Sequence, residues 1–215
     1  MRDPVLVAAA PKPLTVHTGP GPRCARCPRI VELRRSLRRE RPDHWNKPVP
    51  AVGPIDARLL IVGLAPGAQG ANRTGVPFFG DSSGDTLRTA LCAAGLRERD
   101  VRITNALKCL PPENRPAGGE LANCRSWFTR EISDLKRAGG VVFALGRVAH
   151  IAIVKEFGAR QADFRFGHAN VHILPGNTTL VDSYHCSQYN TATRRLTPAM
   201  LERALRRAAH LTRQP

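Results

Sequence analysis

Four cysteines are spaced as in a metal or cluster site. Cys24 and Cys27 form a C-x-x-C pair, and Cys109 and Cys124 follow later as a split pair. The turn within C-x-x-C directs both sulfurs to one point, and four thiolates suit either a [4Fe–4S] cluster or a structural zinc ion. Zinc domains usually hold their second pair close together, so the split pair favours iron–sulfur. The expected role of the group is structural.

The other two cysteines carry no such spacing. Cys92 has apolar neighbours in a predicted helix, and we expect it in the core. Cys186 adjoins a histidine, but nothing in the sequence supplies a base for it, so we do not expect a nucleophile. Six cysteines in a chain without a secretory pattern indicate metal binding rather than a disulfide framework.

His185 is the histidine with the most distinctive surroundings. It lies at the carboxyl end of a predicted strand, before a polar loop that contains Arg194 and Arg195. A helix then begins at Pro198, with Thr197 as its N-cap. This order is typical of a catalytic hydrogen-bond donor beside a loop that contacts DNA.

A glycine-rich segment from Gly63 to Asp81 follows the first predicted strand. It lacks the G-x-G-x-x-G and G-K-[ST] patterns, so dinucleotide and P-loop sites are weakly supported. Its glycines allow the backbone to approach a flat ligand closely. Phe78 in this segment has two interpretations, a ring exposed in a cleft or an ordinary core residue.

The elements that position these residues alternate along the chain. Apolar runs alternating with helical spacings predict an α/β fold: a three-layer α/β/α sandwich with a mainly parallel central sheet of about four strands. The predicted strands are Leu59–Val62, Val101–Leu107, Val141–Leu145 and Leu180–Ser183, with Val171–Leu174 as a further edge strand. The predicted helices are Pro28–Arg39, Ser82–Ala94, Leu121–Lys136, Arg147–Phe157 and Pro198–Leu211. Ligands bind beyond the carboxyl ends of such strands, where the unusual residues lie.

The charge of the chain indicates a polyanionic partner. The formal net charge is +16, from 33 Lys and Arg against 17 Asp and Glu. Nucleic acid is the first candidate, although a generally Arg-rich composition is an alternative. No segment resembles a membrane span, so we expect a cytoplasmic protein that works with the chromosome. The predicted organisation is an N-terminal arm over residues 1–23 and a single domain over residues 24–215.

Three motifs together resemble the uracil-DNA glycosylase superfamily, and most closely its family 5 branch, the iron–sulfur-containing type B enzymes. The four-cysteine spacing is also similar to that of the cluster-bearing branches. The motifs are Gly63-Leu64-Ala65-Pro66 through Asn72-Arg73-Thr74-Gly75 to Asp81, Thr104-Asn105-Ala106-Leu107-Lys108-Cys109 with Pro111-Pro112-Glu113-Asn114, and Tyr184-His185-Cys186-Ser187 with Asn190-Thr191 and Leu196-Thr197.

The resemblance implies a DNA-repair hydrolase that cuts the bond between a damaged base and deoxyribose. The base leaves the stack and enters a pocket. By resemblance, Phe78 stacks on the base, Asn105 reads its edge, and His185 donates to the uracil oxygen. Gly63, Leu64 and Ala65 would complete the base-binding site. Uracil, hypoxanthine, xanthine and ethenocytosine are not ranked by the sequence.

The residue that orients the water is left open by the resemblance. Related branches carry a polar side chain where this chain has Leu64, a departure that fits family 5 and weakens a general-base mechanism. Asn72 and Asp81 are the candidates, and we rank Asn72 slightly higher because it precedes the stacking ring. The other candidate function is a non-catalytic nucleic-acid-binding domain with a structural metal site.

The loop after His185 is the expected DNA contact. Its candidates are Tyr189, Asn190, Arg194 and Arg195, and one of them would fill the gap that the flipped base leaves. A branch that links covalently to abasic DNA carries a basic insertion before its histidine, which this chain lacks. We expect a monomer acting on DNA that contains uracil or other deaminated bases.

Overall fold

A computed structural model describes residues 19–214. Its centre is a sheet of five strands in the order β2-β1-β3-β5-β4, in which β4 alone is antiparallel to its neighbour. The α/β prediction is confirmed, with the expected edge strand raising the count above four. The strands are β1 (Leu59–Gly63), β2 (Arg102–Asn105), β3 (Val141–Leu145), β4 (Val171–Leu174) and β5 (Thr178–Ser183).

The apolar runs of β1 and β3 form strands because both of their faces are covered. Every residue of these two strands is buried, as is typical of parallel strands between two helical layers. β2 is shorter than the predicted 101–107. Beyond its end, the N–H groups of Ala106 and Leu107 still bond the carbonyls of Gly63 and Leu64. This pairing brings the loops after β1 and β2 together.

Helices cover both faces of the sheet and confirm the three layers. Leu87 of α3 and Leu205 of α7 lie in the core on one face, and Ile132 of α4 and Ile153 of α5 lie in the core on the other. Two short helices, α2 and α6, were not predicted. The helices are α1 (Pro28–Glu40), α2 (Ala71–Thr74), α3 (Ser82–Ala93), α4 (Glu120–Arg137), α5 (Arg147–Glu156), α6 (Gln188–Ala192) and α7 (Pro198–Leu211).

Two sequence predictions about helices have opposite outcomes. Thr197 caps α7 by accepting a hydrogen bond from the Met200 N–H, as predicted. The core position predicted for Cys92 is wrong, because this thiol is exposed. Leu91 occupies the buried stripe of α3, and the next residue turns about 100° away from it on a helix of 3.6 residues per turn.

The predicted arm over residues 1–23 lies mostly outside the described residues, so it and the domain boundary stay predictions. Among residues 19–214, no helix is long and apolar enough to cross a membrane.

Candidate active site

A cavity of about 440 Å³ lies where the carboxyl ends of β1, β2, β3 and β5 meet. This is the place that parallel-sheet topology predicts for a ligand. It brings together six of the residues proposed from sequence, which are Leu64, Ala65, Phe78, Asp81, Asn105 and His185. The other lining residues are Pro66, Gly67, Ala71, Ser83, Asn114, Leu145, Gly146, Arg147, Val148, Ala149 and Ser187.

Gly63 shapes the cavity by lacking a side chain. A Cβ atom at this position would lie 2.4 Å from Asn105 Oδ1 and 2.6 Å from Phe78 Cζ. Real Cβ atoms do not approach other atoms so closely. The end of β1 therefore admits the amide and the ring together only because residue 63 is glycine.

Phe78 satisfies both interpretations offered by the sequence. Its side chain belongs to the core on the α3 and α7 face, yet its ring forms part of the cavity wall. Its backbone has a φ of +51°, a left-handed conformation that is unusual for a bulky residue. The ring centroid lies 6.0 Å from that of His185, with 40° between the ring planes.

Asn105 lines the cavity and carries an unsatisfied acceptor atom. The residue is 3% exposed, and its Oδ1 atom is buried with no hydrogen-bond partner among the described residues. Buried polar atoms are nearly always hydrogen-bonded, so an exception calls for an explanation. A ligand N–H group in the cavity would supply the missing donor.

His185 is positioned by its main chain and leaves its imidazole available. Asn190 Nδ2 donates to the His185 carbonyl at 2.8 Å, while no described residue hydrogen-bonds to the ring nitrogens. Burial lowers the pKa of His185 below its ordinary value, and the Asp81 carboxylate opposes this shift. The imidazole is therefore neutral at neutral pH and carries one N–H donor.

Asp81 lines the cavity, whereas Asn72 does not. Asp81 Oδ1 caps α3 by accepting from the Gly84 N–H at 2.9 Å, and Oδ2 faces Gly70, where a Cβ would lie 2.1 Å away. Asn72 is buried, and its Nδ2 donates to Asn46 Oδ1 at 2.8 Å. The geometry thus reverses the order in which the sequence ranked these two residues.

The loop beyond His185 forms an exposed rim. Tyr189 is 73% exposed, and Arg194 and Arg195 are also exposed. The Arg195 guanidinium lies 4.7 Å from the centre of the Tyr184 ring. Asn190 differs from its neighbours, because its amide nitrogen is engaged with the His185 carbonyl.

The four cysteines of the sequence motif come together between α1 and α4. Cys109 and Cys124 are buried, and Cys24 and Cys27 are half-buried against them. Burial raises the pKa of Cys109 to about 12 and that of Cys124 to about 11. Metal ligation would require these two thiols to lose their protons.

The cysteine site contains one buried donor without a described partner. This is the Nε atom of Arg34, which lines the same small cavity as the four cysteines. An anionic group held by the thiolates would supply the missing acceptor. Among residues 19–214, the one set of three or more potential ligand atoms within 4.8 Å of one another is formed by His150, His172 and Asp182.

That compact set, His150, Asp182 and His172, is already satisfied as a hydrogen-bond network. His150 Nδ1 lies 2.8 Å from Asp182 Oδ1, and His172 Nε2 lies 3.3 Å from Asp182 Oδ2. His150 Nε2 lies 2.8 Å from the Phe164 carbonyl. The network ties α5 to β5 behind the cavity wall.

Sequence reasoning gave no role to two residues of the cavity wall. Asn114 reaches the cavity from a loop in which Glu113 and Asn114 both have positive φ angles, +55° and +56°. Arg147 lies at the start of α5, after Gly146. Asn114 was quoted from the sequence only as part of the second motif, which did not indicate that its side chain would reach the cavity.

The fold and cavity now have a counterpart among known protein families. A protein-family model described as the uracil DNA glycosylase superfamily matches residues 50–209. That range contains all the proposed residues of the cavity. The chain belongs to this superfamily and is a hydrolase that acts on N-glycosyl bonds.

Individual relatives narrow the family further. The chain is 41% identical to the type-5 uracil-DNA glycosylase of Pyrobaculum aerophilum, with 86% of this chain and 88% of that protein covered. It is also 41% identical to the type-5 enzyme of Thermus thermophilus, with 87% and 93% covered. The type-5 enzyme of Mycobacterium bovis is 41% identical, with 87% and 78% covered. The chain therefore belongs to the type-5 branch, as its motifs indicated.

Proposed function

We propose that this protein excises uracil from DNA by hydrolysing the N-glycosidic bond, leaving an abasic site. The observation that carries the proposal is the unpartnered Oδ1 atom of Asn105, buried in a cavity beside Phe78 and His185. Uracil offers an N–H donor on its pairing edge, a flat face for the ring, and carbonyl oxygens that accept hydrogen bonds. A flipped uracil therefore satisfies all three side chains.

His185 stabilises the departing base in this proposal. Negative charge gathers on the uracil oxygen as the glycosidic bond lengthens, and a preorganised donor is worth most where charge develops. Burial keeps the imidazole neutral. It therefore stabilises the departing base with one N–H hydrogen bond and does not transfer a proton to it. Asn190 holds the main chain of His185 through a 2.8 Å hydrogen bond from its Nδ2 atom to the His185 carbonyl.

Asp81 orients the attacking water. Its Oδ1 is committed to the cap of α3, and its Oδ2 has no described hydrogen-bond donor. A carboxylate at the cavity wall also balances positive charge on the sugar. Leu64 is apolar and offers nothing to a water, so the mechanism relies on bond breaking in advance of attack.

The rim after His185 contacts the duplex. Arg194 and Arg195 contact phosphates, and Tyr189 is the candidate for the space that the flipped base leaves. The cavity volume of about 440 Å³ leaves room for bases larger than uracil. We therefore extend the proposal to other deaminated bases, without ranking them.

Cys24, Cys27, Cys109 and Cys124 hold a [4Fe–4S] cluster, with zinc as the alternative. The gathering of the four thiols at one small cavity and the unpartnered Arg34 Nε support a bound anionic group, and the split second pair of cysteines favours the cluster. When bound, the cluster supplies a structural link between the segment before α1 and the body of the domain. We expect no redox role for it, because a hydrolysis needs no electron. Purified protein should be brown and contain iron and sulfide. Colourless protein with one zinc per chain would overturn the cluster.

The test of the function is single-turnover cleavage of uracil-containing DNA with enzyme in excess. His185→Ala should lose roughly a hundred- to a thousandfold in rate while still binding DNA. Cys186→Ala is the matched control. The Cys186 thiol is buried, donates to the Ser83 carbonyl at 3.3 Å, and has a pKa raised by burial to about 12. The control should stay within a few-fold of the wild type, and the reverse ranking would contradict the mechanism.

Two further expectations accompany the proposal. We propose a monomer in the cytoplasm, acting beside the chromosome, with no covalent link to abasic DNA. The alternative of a non-catalytic binding domain predicts DNA affinity without cleavage, so the same assay decides against one of the two.

A further inference from the structure

Lys108 is a fully buried cation that lies outside the cavity. Its side chain and that of its partner Glu131 are both 0% exposed. The ammonium donates to Thr104 Oγ1 at 2.6 Å, to the Asn105 carbonyl at 2.8 Å, and to both Glu131 oxygens at 2.8 and 2.7 Å. A buried ion pair is often no more stable than apolar residues of similar volume, so stability alone does not account for it.

The first end of this arrangement reaches the base pocket. Thr104 and Asn105 are the last two residues of β2, and the ammonium contacts both of them. It contacts Asn105 through the main-chain carbonyl, which leaves the side-chain Oδ1 free for a ligand. Because this contact fixes the main chain of Asn105, it also fixes the position from which the amide side chain extends at the cavity.

The second end reaches the cysteine site. Lys108 directly precedes Cys109 in the chain, and Cys109 packs with Cys124 in one small buried cluster. Cys124 and Glu131 both lie on α4 and are both buried. Residues seven apart on a helix share a face, so α4 presents the sulfur and the carboxylate to Lys108 from the same side.

We infer that Lys108 is a positioning residue that couples the cysteine site to Asn105 in the base pocket. The inference rests on the proposed function, in which Asn105 reads the base and the four cysteines hold a metal group. Lys108 reacts with nothing and touches no substrate. Its ammonium holds the end of β2 through Thr104 and the Asn105 carbonyl, and its main chain continues directly into Cys109.

The experiment is a double-mutant cycle between this ion pair and Asn105. Lys108→Met with Glu131→Met replaces the buried pair by apolar side chains of similar length, so no charge is left unpaired. Single-turnover rates on uracil DNA are measured with and without Asn105→Ala. We expect the Met pair to slow the reaction about tenfold or more when Asn105 is present, and to have little effect when it is absent. Equal effects in both backgrounds would overturn the inference.

A second readout does not depend on activity. Iron release to a chelating dye should be several-fold faster in the Met pair than in the wild type, because Lys108 adjoins Cys109 and Glu131 lies on the same helix as Cys124. Asn105→Ala should release iron at the wild-type rate. Unchanged iron release in the Met pair would overturn the link to the cysteine site.

Two more variants separate coupling from general destabilisation. Leu135→Ala lies on the same helix, in the apolar core. It should lower the melting temperature yet leave iron release and the Asn105 dependence unchanged. Thr104→Val removes one ammonium contact and keeps the shape of the side chain. It is the milder test to use if the Met pair fails to fold, and it should show the same rate loss and the same faster iron release, both smaller in size. Wild-type protein that does not cleave uracil DNA would refute the proposed function. The iron-release result would still test the link between Lys108 and the cysteine site.

Discussion

Asn190 donates a hydrogen bond from its amide nitrogen to the main-chain carbonyl of His185 at 2.8 Å. Asn190 is held in turn through its own N–H by Ser187 Oγ, the N-cap of α6. The residue that the sequence assigned to DNA contact therefore also holds the main chain of His185. This links the proposed hydrogen-bond donor to the rim.

Asn190→Ala should lower the single-turnover rate by up to about a hundredfold with little loss of DNA affinity, since small misplacements of a catalytic group are costly. Rate and binding are measured separately, the second by fluorescence anisotropy with undamaged DNA. Gln188→Ala, an exposed change on the same short helix, is the control. A loss of affinity that matches the loss of rate would return Asn190 to a DNA-contacting role.

Arg194→Ala together with Arg195→Ala should weaken binding to all DNA and leave the base preference unchanged. Each lost phosphate contact reduces the slope of log affinity against log salt by about one. The measurement is a salt titration of DNA binding for wild type and variant. A wild-type affinity that ignores salt would contradict the assignment of the rim.

Gly63→Ala should nearly abolish cleavage although it adds one methyl group. The new Cβ would overlap Asn105 Oδ1 and Phe78 Cζ, so the amide and the ring must move, at a cost of about a hundredfold or more in rate. Gly118→Ala, where a Cβ meets nothing within 4 Å, should behave as the wild type. Full activity of the first variant would contradict the cavity geometry.

Asp81→Asn should reduce the rate strongly while keeping the protein folded, because asparagine also caps helices well. Asn72→Ala should instead destabilise the protein and leave the rate of the folded enzyme unchanged. It leaves Asn46 Oδ1 buried without its partner, which costs about 1–3 kcal/mol in the free energy of unfolding. Thermal unfolding and single-turnover kinetics of both variants test the pair. If Asn72→Ala is fully folded at the assay temperature and still cleaves slowly, Asn72 and not Asp81 would be the water-orienting residue.

The rate should be nearly independent of pH through the ordinary range of histidine. Burial lowers the pKa of His185 below its ordinary value, so the imidazole is mostly neutral at pH 7 and is protonated at lower pH than an ordinary histidine. Protonation, and any change of rate that it brings, begins only at lower pH. The measurement is the single-turnover rate against pH for wild type and His185→Ala. A wild-type rate that falls tenfold per unit as the pH rises through 6.5 would instead require an imidazolium donor.

Local pattern and residue order predicted the sheet, the main helices and the edge of the sheet at which the candidate site lies. Parallel strands gather their carboxyl ends at one edge, and His185 lies at the end of one such strand. The roles expected of Phe78 and Asn105 came instead from the resemblance of three motifs to a known family. The C-x-x-C pair and the later cysteines could be read from residue type and spacing, because the chemistry of four thiolates is narrow.

Tertiary structure distinguished two polar residues that the sequence offered together. Asn72 and Asp81 were both candidates to orient a water, and only packing showed that Asn46, from a distant connection, engages the Asn72 side chain while Asp81 lines the cavity. The pairing of Lys108 with Glu131 likewise joins residues from β2's end and α4. Sequence periodicity states which face a side chain occupies, but not which residue of another element meets it there. Partners far apart in the chain are therefore decided only by packing.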